Sequence, residues 1–184
     1  DKRKLWLKSY DENEIIDYNN KETNIDDFIN REFKHFSNSD NVRSIGSCID
    51  GLKVSQRKIL FSCLKRKLYK EIRVAQLAGY VSEHSAYHHG EASLNGAIVG
   101  MAQNYVGSNN INLFQPLGQF GTRLQGGKDS ASERYIFTQL NKLCRLIFPQ
   151  SDDAILQYLD DDGTPVEPVY YVPIIPMVLV NGSK

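Results

Sequence analysis

With 184 residues, 41% of them hydrophobic and 24% charged, the chain can bury a real core and is too apolar for wholesale disorder. Cys48, Cys63 and Cys144 form neither a CxxC pair nor an even framework, which points to a reduced intracellular compartment. No run approaches the roughly 18 apolar residues of a membrane span, and the opening lacks the apolar core of a secretion signal, so a soluble protein without a membrane partner is expected.

The net charge of zero hides a division along the chain. Residues 1–50 carry 8 basic and 11 acidic groups, residues 51–146 carry 13 and 5, and residues 147–184 carry 1 and 6. A concentrated positive middle suggests a polyanion partner for that segment, although a solvated helix face has the same composition.

Residues 1–24 are polar and weakly periodic and read as a linker or insert. From Asp26 the apolar residues Phe28, Ile29, Phe33 and Phe36 fall near helical spacing, with Asn24 or Asp26 as cap and an end near Ser37-Asn38-Ser39-Asp40. After a turn at Asp50-Gly51, one apolar stripe of Ile59, Leu60, Cys63, Leu64 and Leu68 predicts an amphipathic helix. Arg57, Lys58, Lys65, Arg66 and Lys67 lie largely off it.

Val74–Gly79 and a periodic segment from Glu91 to Tyr105, joined by a short connection ending at Gly90, have the form of a helix-turn-helix. Leu94, Ile98, Met101 and Tyr105 turn one face of the second helix inward. Gly96 and Gly100 cost about 1 kcal/mol each against Ala in a helix interior, and fit either a nucleic-acid strand approaching closely or a tight helix crossing.

Beyond Asn109-Asn110 the chain is glycine-rich, then Arg134–Thr138 reads as a strand with Tyr135 near its start. A helix is expected over Leu140–Phe148, a hairpin turn at Asp161-Asp162-Gly163-Thr164, and a buried strand at Pro176–Val180. The fold class is therefore α+β, a helix-turn-helix or winged-helix domain over residues 25–150 followed by a β-containing segment over 151–184. The start without Met, and the stop at Asn181-Gly182-Ser183-Lys184 after an apolar run, read as an excised piece of a longer chain.

Three groups of residues could carry chemistry. A phenol with a pKa near 10 is only about 0.1% ionised at neutral pH, so Tyr135 as a nucleophile needs a cation such as Arg134 nearby; ordinary strand packing would use the same dipeptide. His88 and His89 lack the spacing of a zinc site and suit phosphate contacts beside a helix N-terminus better. A metal-dependent hydrolase built on His88, His89 and Glu91 would require tightly bound zinc. The glycine-rich segments carrying Arg123 and Lys128 match neither nucleotide-loop pattern, and serve either as a plain surface loop or as a close approach to a nucleic-acid backbone.

Taken in order, Ser44-Ile45, Asp50-Gly51-Leu52-Lys53, Gln56-Arg57-Lys58, Ala75–Gly79, Tyr87-His88-His89-Gly90-Glu91, Gln115–Arg123 and Gly127–Tyr135 resemble the winged-helix region of the type IIA DNA topoisomerases. The serine-rich tyrosine block resembles the eukaryotic members rather than the gyrases. The resemblance runs from about Asp26 to Gly182.

It implies that Tyr135 attacks one DNA strand, displaces the 3′-oxygen and leaves a 5′-phosphotyrosyl link, with Arg134 stabilising the pentacovalent state. It further implies that Lys53, Arg57, Lys58, His88 and His89 hold the backbone of double-stranded DNA, His89 nearest the scissile phosphate, with Arg123 and Lys128 as further contacts. Mg²⁺ and ATP would be held by domains outside this chain, with no metal site within it. The whole enzyme would be a nuclear homodimer, and residues from about Gln157 onward would begin a tower region, cut short of the family's wedge isoleucine. Gly46, Val54 and Glu133 stand where members of the family carry proline, which is expected to alter loop stiffness rather than chemistry. A winged-helix DNA binder with a structural Tyr135 is the rival reading.

Overall fold

The computed structural model describes residues 1–182, so Ser183 and Lys184 at the end of the expected tower segment lie outside the described residues. The chain divides into two units, Asp1–Ile45 and Gly46–Lys184. The division falls after Ile45, so residues 25–45 group with the polar opening rather than with the helix-turn-helix.

In the first unit the opening stretch holds a helix, α1 (Lys2–Lys8), where a linker was expected. Its contacts are distant in sequence and so leave no periodic trace. Trp6 Nε1 donates to Asn30 Oδ1 at 2.9 Å, and buried Lys34 donates to the Ser9 carbonyl and hydroxyl at 2.7 and 2.9 Å. Tyr10 meets His35 edge to face.

The helical stretch that follows comprises α2 (Ile25–Asp27), a π-helical segment Phe28–Phe33, and α3 (Lys34–Ser44). Asn24 is its cap, accepting from the Asp27 amide at 2.7 Å. Polar Ser37–Asp40 do not end the helix as expected; they continue within α3, where Asp40 pairs with Arg43 at 2.7 Å. Extended Ile45 ends it. Phe28, Phe33 and Phe36 stack on one another yet stay largely exposed.

The second unit is organised by α4 (Val54–Arg66), whose predicted stripe of Ile59, Leu60, Cys63 and Leu64 is buried. Each such side chain contributes about 1.5–3 kcal/mol of transfer free energy. Lys67 in the left-handed conformation closes the helix, and the Leu68 amide donates to the Cys63 carbonyl while its side chain enters the core.

β1 (Ile72–Arg73) leads into α5 (Val74–His84), and residues 85–90 connect it to α6 (Glu91–Ala102). The helix-turn-helix is therefore present, although α6 ends three residues before the expected Tyr105, whose hydroxyl instead lies at 3.4 Å from the Gln103 carbonyl oxygen Oε1. Leu77, Val81, Leu94, Ile98 and Met101 meet Phe114, Ile136 and Leu140 in one core.

β2 (Phe137–Thr138) pairs antiparallel with β1 on one side. On the other it faces residues 114–117 through the bridges Phe114↔Leu140 and Leu117↔Phe137. The connection between these antiparallel segments, residues 118–136, is the wing. The expected strand over Arg134–Thr138 is thus shortened to two residues, because Glu133–Tyr135 form a turn. The helix expected over Leu140–Phe148 shrinks to α7 (Cys144–Ile147), since Leu140 is held in the bridge to Phe114.

β3 (Tyr158–Asp161) and β4 (Thr164–Pro168) form the expected hairpin, with Asp162 and Gly163 at φ 49° and 81° in its turn. The buried strand expected at Pro176–Val180 is a short helix, α8 (Met177–Asn181), with Met177 buried and Leu179 80% exposed. Among the described residues its apolar run forms no β-ladder: the Leu179 and Val180 amides return to the Pro176 carbonyl. Gly51, at φ 72°, lets the backbone pass there, because a Cβ would sit 2.9 Å from the Val178 nitrogen.

Candidate nucleic-acid cleavage site

Tyr135 stands on a turn whose backbone is clamped and whose side chain is exposed. Its amide donates to the Ser132 carbonyl at 2.9 Å, while the Val74 and Ala75 amides donate to the carbonyls of Ile136 and Glu133 at 3.1 and 3.2 Å. Val74 and Ala75 open α5, so the turn satisfies helix donors that would otherwise lack partners. Ile136 is buried beneath it, and the phenol projects outward, 77% exposed. Arg134 beside it is exposed and, among the described residues, has no side-chain partner.

The rest of the wing is an ordered loop tied to α6. Gln103 Nε2, just past that helix, donates to the carbonyls of Phe120 and Gly127 at 2.9 and 3.2 Å. Thr122 donates to the Asp129 carboxylate from its amide at 2.8 Å and its hydroxyl at 2.7 Å, and these bonds hold that carboxyl below its usual range. Gly121 and Gly127 must both be glycine in this packing: at φ 98° a Cβ on Gly121 would lie 2.6 Å from the Gly127 Cα. Arg123 and Lys128 project from the loop, exposed.

Gly96 and Gly100 answer the question left open by the sequence. A Cβ at either would meet no atom within 4 Å, so no tight helix crossing explains them. They face open clefts on two sides. One, of about 380 Å³, runs to Lys53, Ser55 and Gln56 at the start of α4; the other, of about 350 Å³, runs to Gly127, Ser130 and Glu133 of the wing. Buried Asn95 lines the second, and its Oδ1 accepts no hydrogen bond among the described residues.

The connection 85–90 leaves His88 and His89 exposed, His89 packed edge-on against the buried Tyr87 ring at 5.3 Å. Among the described residues, His88, His89 and Glu91 belong to no group of three metal-ligating side chains, and no carboxylate cluster surrounds Tyr135. Cys63 and Cys144 are buried, with the Cys144 thiol pushed up to about 12 by desolvation, which leaves it neutral and a poor nucleophile.

Two of the expected DNA contacts are turned inward. Arg57 Nε donates to Asp50 Oδ2 at 2.7 Å and Nη2 to Asp50 Oδ1 at 3.0 Å, a bidentate pair with side chains only 7% and 0% exposed. Lys58 donates to the Ser85 carbonyl at 2.5 Å and to Glu167 at 2.8 Å. Sequence reasoning missed the acceptors Asp50 and Glu167; an acidic residue seven positions before an arginine on an adjacent turn was the one local signal.

Residues 43–184 match the family model for the DNA gyrase/topoisomerase IV A-subunit, and residues 1–41 match the C-terminal associated domain of TOPRIM. The chain belongs to the type IIA DNA topoisomerases. It is 57% identical to the mitochondrial DNA topoisomerase 2 of Dictyostelium discoideum over 99% of its length and 14% of that protein's. Against human DNA topoisomerase 2-alpha the identity is 64% over 86% of this chain and 10% of that one.

The structure superposes with a TM-score of 0.87 and 51% identity on the Plasmodium falciparum topoisomerase II DNA-binding, cleavage and re-ligation domain, covering 98% of this chain and 25% of that one. The eukaryotic relatives agree with the resemblance read from the tyrosine block, and the α+β winged-helix expectation is borne out. The chain spans only 10% to 14% of the length of the curated relatives named here.

Proposed function

We propose that this segment cuts and reseals duplex DNA as part of a longer, dimeric, ATP-dependent topoisomerase II. The observation that carries this reading is the exposed phenol of Tyr135 on a rigidly held turn, beside an Arg134 without a side-chain partner among the described residues, in a turn whose Glu133 lines the open cleft at Gly96 and Gly100. The Tyr135 oxygen bonds to phosphorus as the bond to the 3′-oxygen breaks. The phenol proton goes to solvent or a nearby base, and the departing oxygen takes up a proton to become the 3′-hydroxyl. Arg134 offsets charge on the pentacovalent phosphorus. His89 lies beside the scissile phosphate, and resealing runs the same steps backward.

Lys53, His88, Arg123 and Lys128, exposed or half-buried and without a side-chain ion pair among the described residues, hold the DNA backbone. Mg²⁺ and ATP belong to other domains of the enzyme. Residues 1–45 accompany the metal-binding domain, with exposed Phe28, Phe33 and Phe36 against it, and residues from 151 onward begin the tower. The enzyme works in the nucleus; no helix among the described residues is long and apolar enough to cross a membrane.

Roles divide measurably in the complete enzyme. Arg134→Ala is expected to cripple covalent cleavage with little loss of DNA binding. Lys53→Ala weakens binding and reduces the slope of log affinity against log salt by about 1. Equal losses of binding in both variants would remove the division. Gly96→Ala adds a methyl group into open space, so it stabilises the isolated fold by about 0.5–1 kcal/mol. If DNA lies against that face, the same variant binds it more weakly, which a melting curve and a binding titration read separately.

A further inference from the structure

Lys58 joins three elements through one ammonium group. It sits on α4 with its side chain 14% exposed; it donates to the carbonyl of Ser85, the first residue after α5, and to the carboxylate of Glu167 on β4, itself 2% exposed. Ser85 is fully buried and opens the connection that carries His88 and His89. The next residue, Ala86, is held at φ 48°, a left-handed conformation that costs an alanine roughly 1 kcal/mol. Tyr87 then enters the core. The Ser85 carbonyl is therefore fixed immediately before the strained residue that directs the histidines outward, and the group fixing it is itself held by the β3–β4 hairpin.

We infer that Lys58 and Glu167 are positioning residues that couple the β3–β4 hairpin to the histidine-bearing turn. Lys58 does not contact DNA. It sets where His88 and His89 stand, and Glu167 sets where Lys58 stands. A buried ammonium with two acceptors at hydrogen-bond distance has one well-defined place, whereas a lysine on phosphate keeps its freedom in solvent. This inference rests on the cleavage reading above.

The test uses the complete enzyme and follows covalent complex formation, DNA affinity across a salt series, and thermal melting. Glu167→Gln removes a charge that DNA does not reach. It is expected to slow covalent complex formation on the order of tenfold, the scale of a small displacement of a reacting group, while affinity and salt slope stay those of wild type. Lys58→Met is expected to do the same, with no loss of salt slope, and the double variant is no slower than the slower single.

Melting curves separate this result from unfolding, and an isosteric Glu167→Met/Lys58→Met pair supplies a folded background, since apolar replacement of both partners is tolerated where removal of one is not. A salt slope reduced by about 1 in Lys58→Met, with Glu167→Gln cleaving normally, would make Lys58 a phosphate contact and overturn the inference. Wild type that never links to DNA would instead remove the cleavage reading itself.

Discussion

Replacing Tyr135 with phenylalanine in the complete enzyme is expected to abolish covalent attachment of protein to 5′ DNA ends while leaving DNA affinity close to wild type. The substitution removes one oxygen from a side chain that is 77% exposed and makes no internal hydrogen bond among the described residues, so the fold loses nothing with it. The turn keeps its three backbone bonds to Ser132 and to the start of α5. What disappears is the only atom of that side chain able to bond phosphorus. The measurement is an incubation with supercoiled DNA and Mg²⁺, trapped with denaturant, followed by identification of the linked DNA end. Persistence of the link in Tyr135→Phe would move the nucleophile elsewhere. Wild type that binds DNA but never links to it would favour the winged-helix binder, in which Tyr135 is structural.

The contrast between Tyr135 and Arg57 shows what was legible in the sequence. The α4 stripe, the two helices of the helix-turn-helix and the Asp162-Gly163 turn were readable because each is written in local spacing or in a local backbone requirement. Arg57 and Lys58 lie largely off the apolar stripe in a basic segment, and their role as DNA contacts is what the resemblance implies. Their acceptors include Glu167, 109 residues from Lys58, and no local pattern registers a partner at that separation. Pro176–Val180 failed for a related reason: β-branched composition describes a side-chain preference, whereas a strand also needs a backbone ladder, and among the described residues the neighbouring Asn110 and Ile111 meet this end of the chain through asparagine side chains instead. Tyr135 is a weak signal as a dipeptide, and its proposed role rests on the resemblance carried by the ordered blocks around it. The structure adds the physical reason it can act, a fixed backbone under a free phenol.

The largest effect on stability is expected at Asp50, a residue outside the candidate site. Its carboxylate, fully buried, accepts from Arg57 Nε at 2.7 Å and Nη2 at 3.0 Å, and from the amides of Leu52 and Tyr171, each at 2.9 Å. Four donors from the turn before α4, from α4 itself and from the segment after β4 converge on two oxygens. Asp50→Ala removes the acceptor from all four, leaves Arg57 Nη2 with only the Leu52 carbonyl at 2.9 Å, and leaves the guanidinium buried without a counter-charge; losing one partner of such a pair costs about 3–5 kcal/mol. A domain has only about 5–15 kcal/mol to lose, so the variant should melt far below wild type. Arg57→Ala should destabilise by a similar amount, and the two together by less than their sum, because each single change already breaks the same bonds. If instead Arg57→Ala leaves the melting temperature unchanged and lowers only DNA affinity, Arg57 spends its guanidinium on phosphate in the working enzyme, and the buried pair with Asp50 is a conformation that DNA displaces.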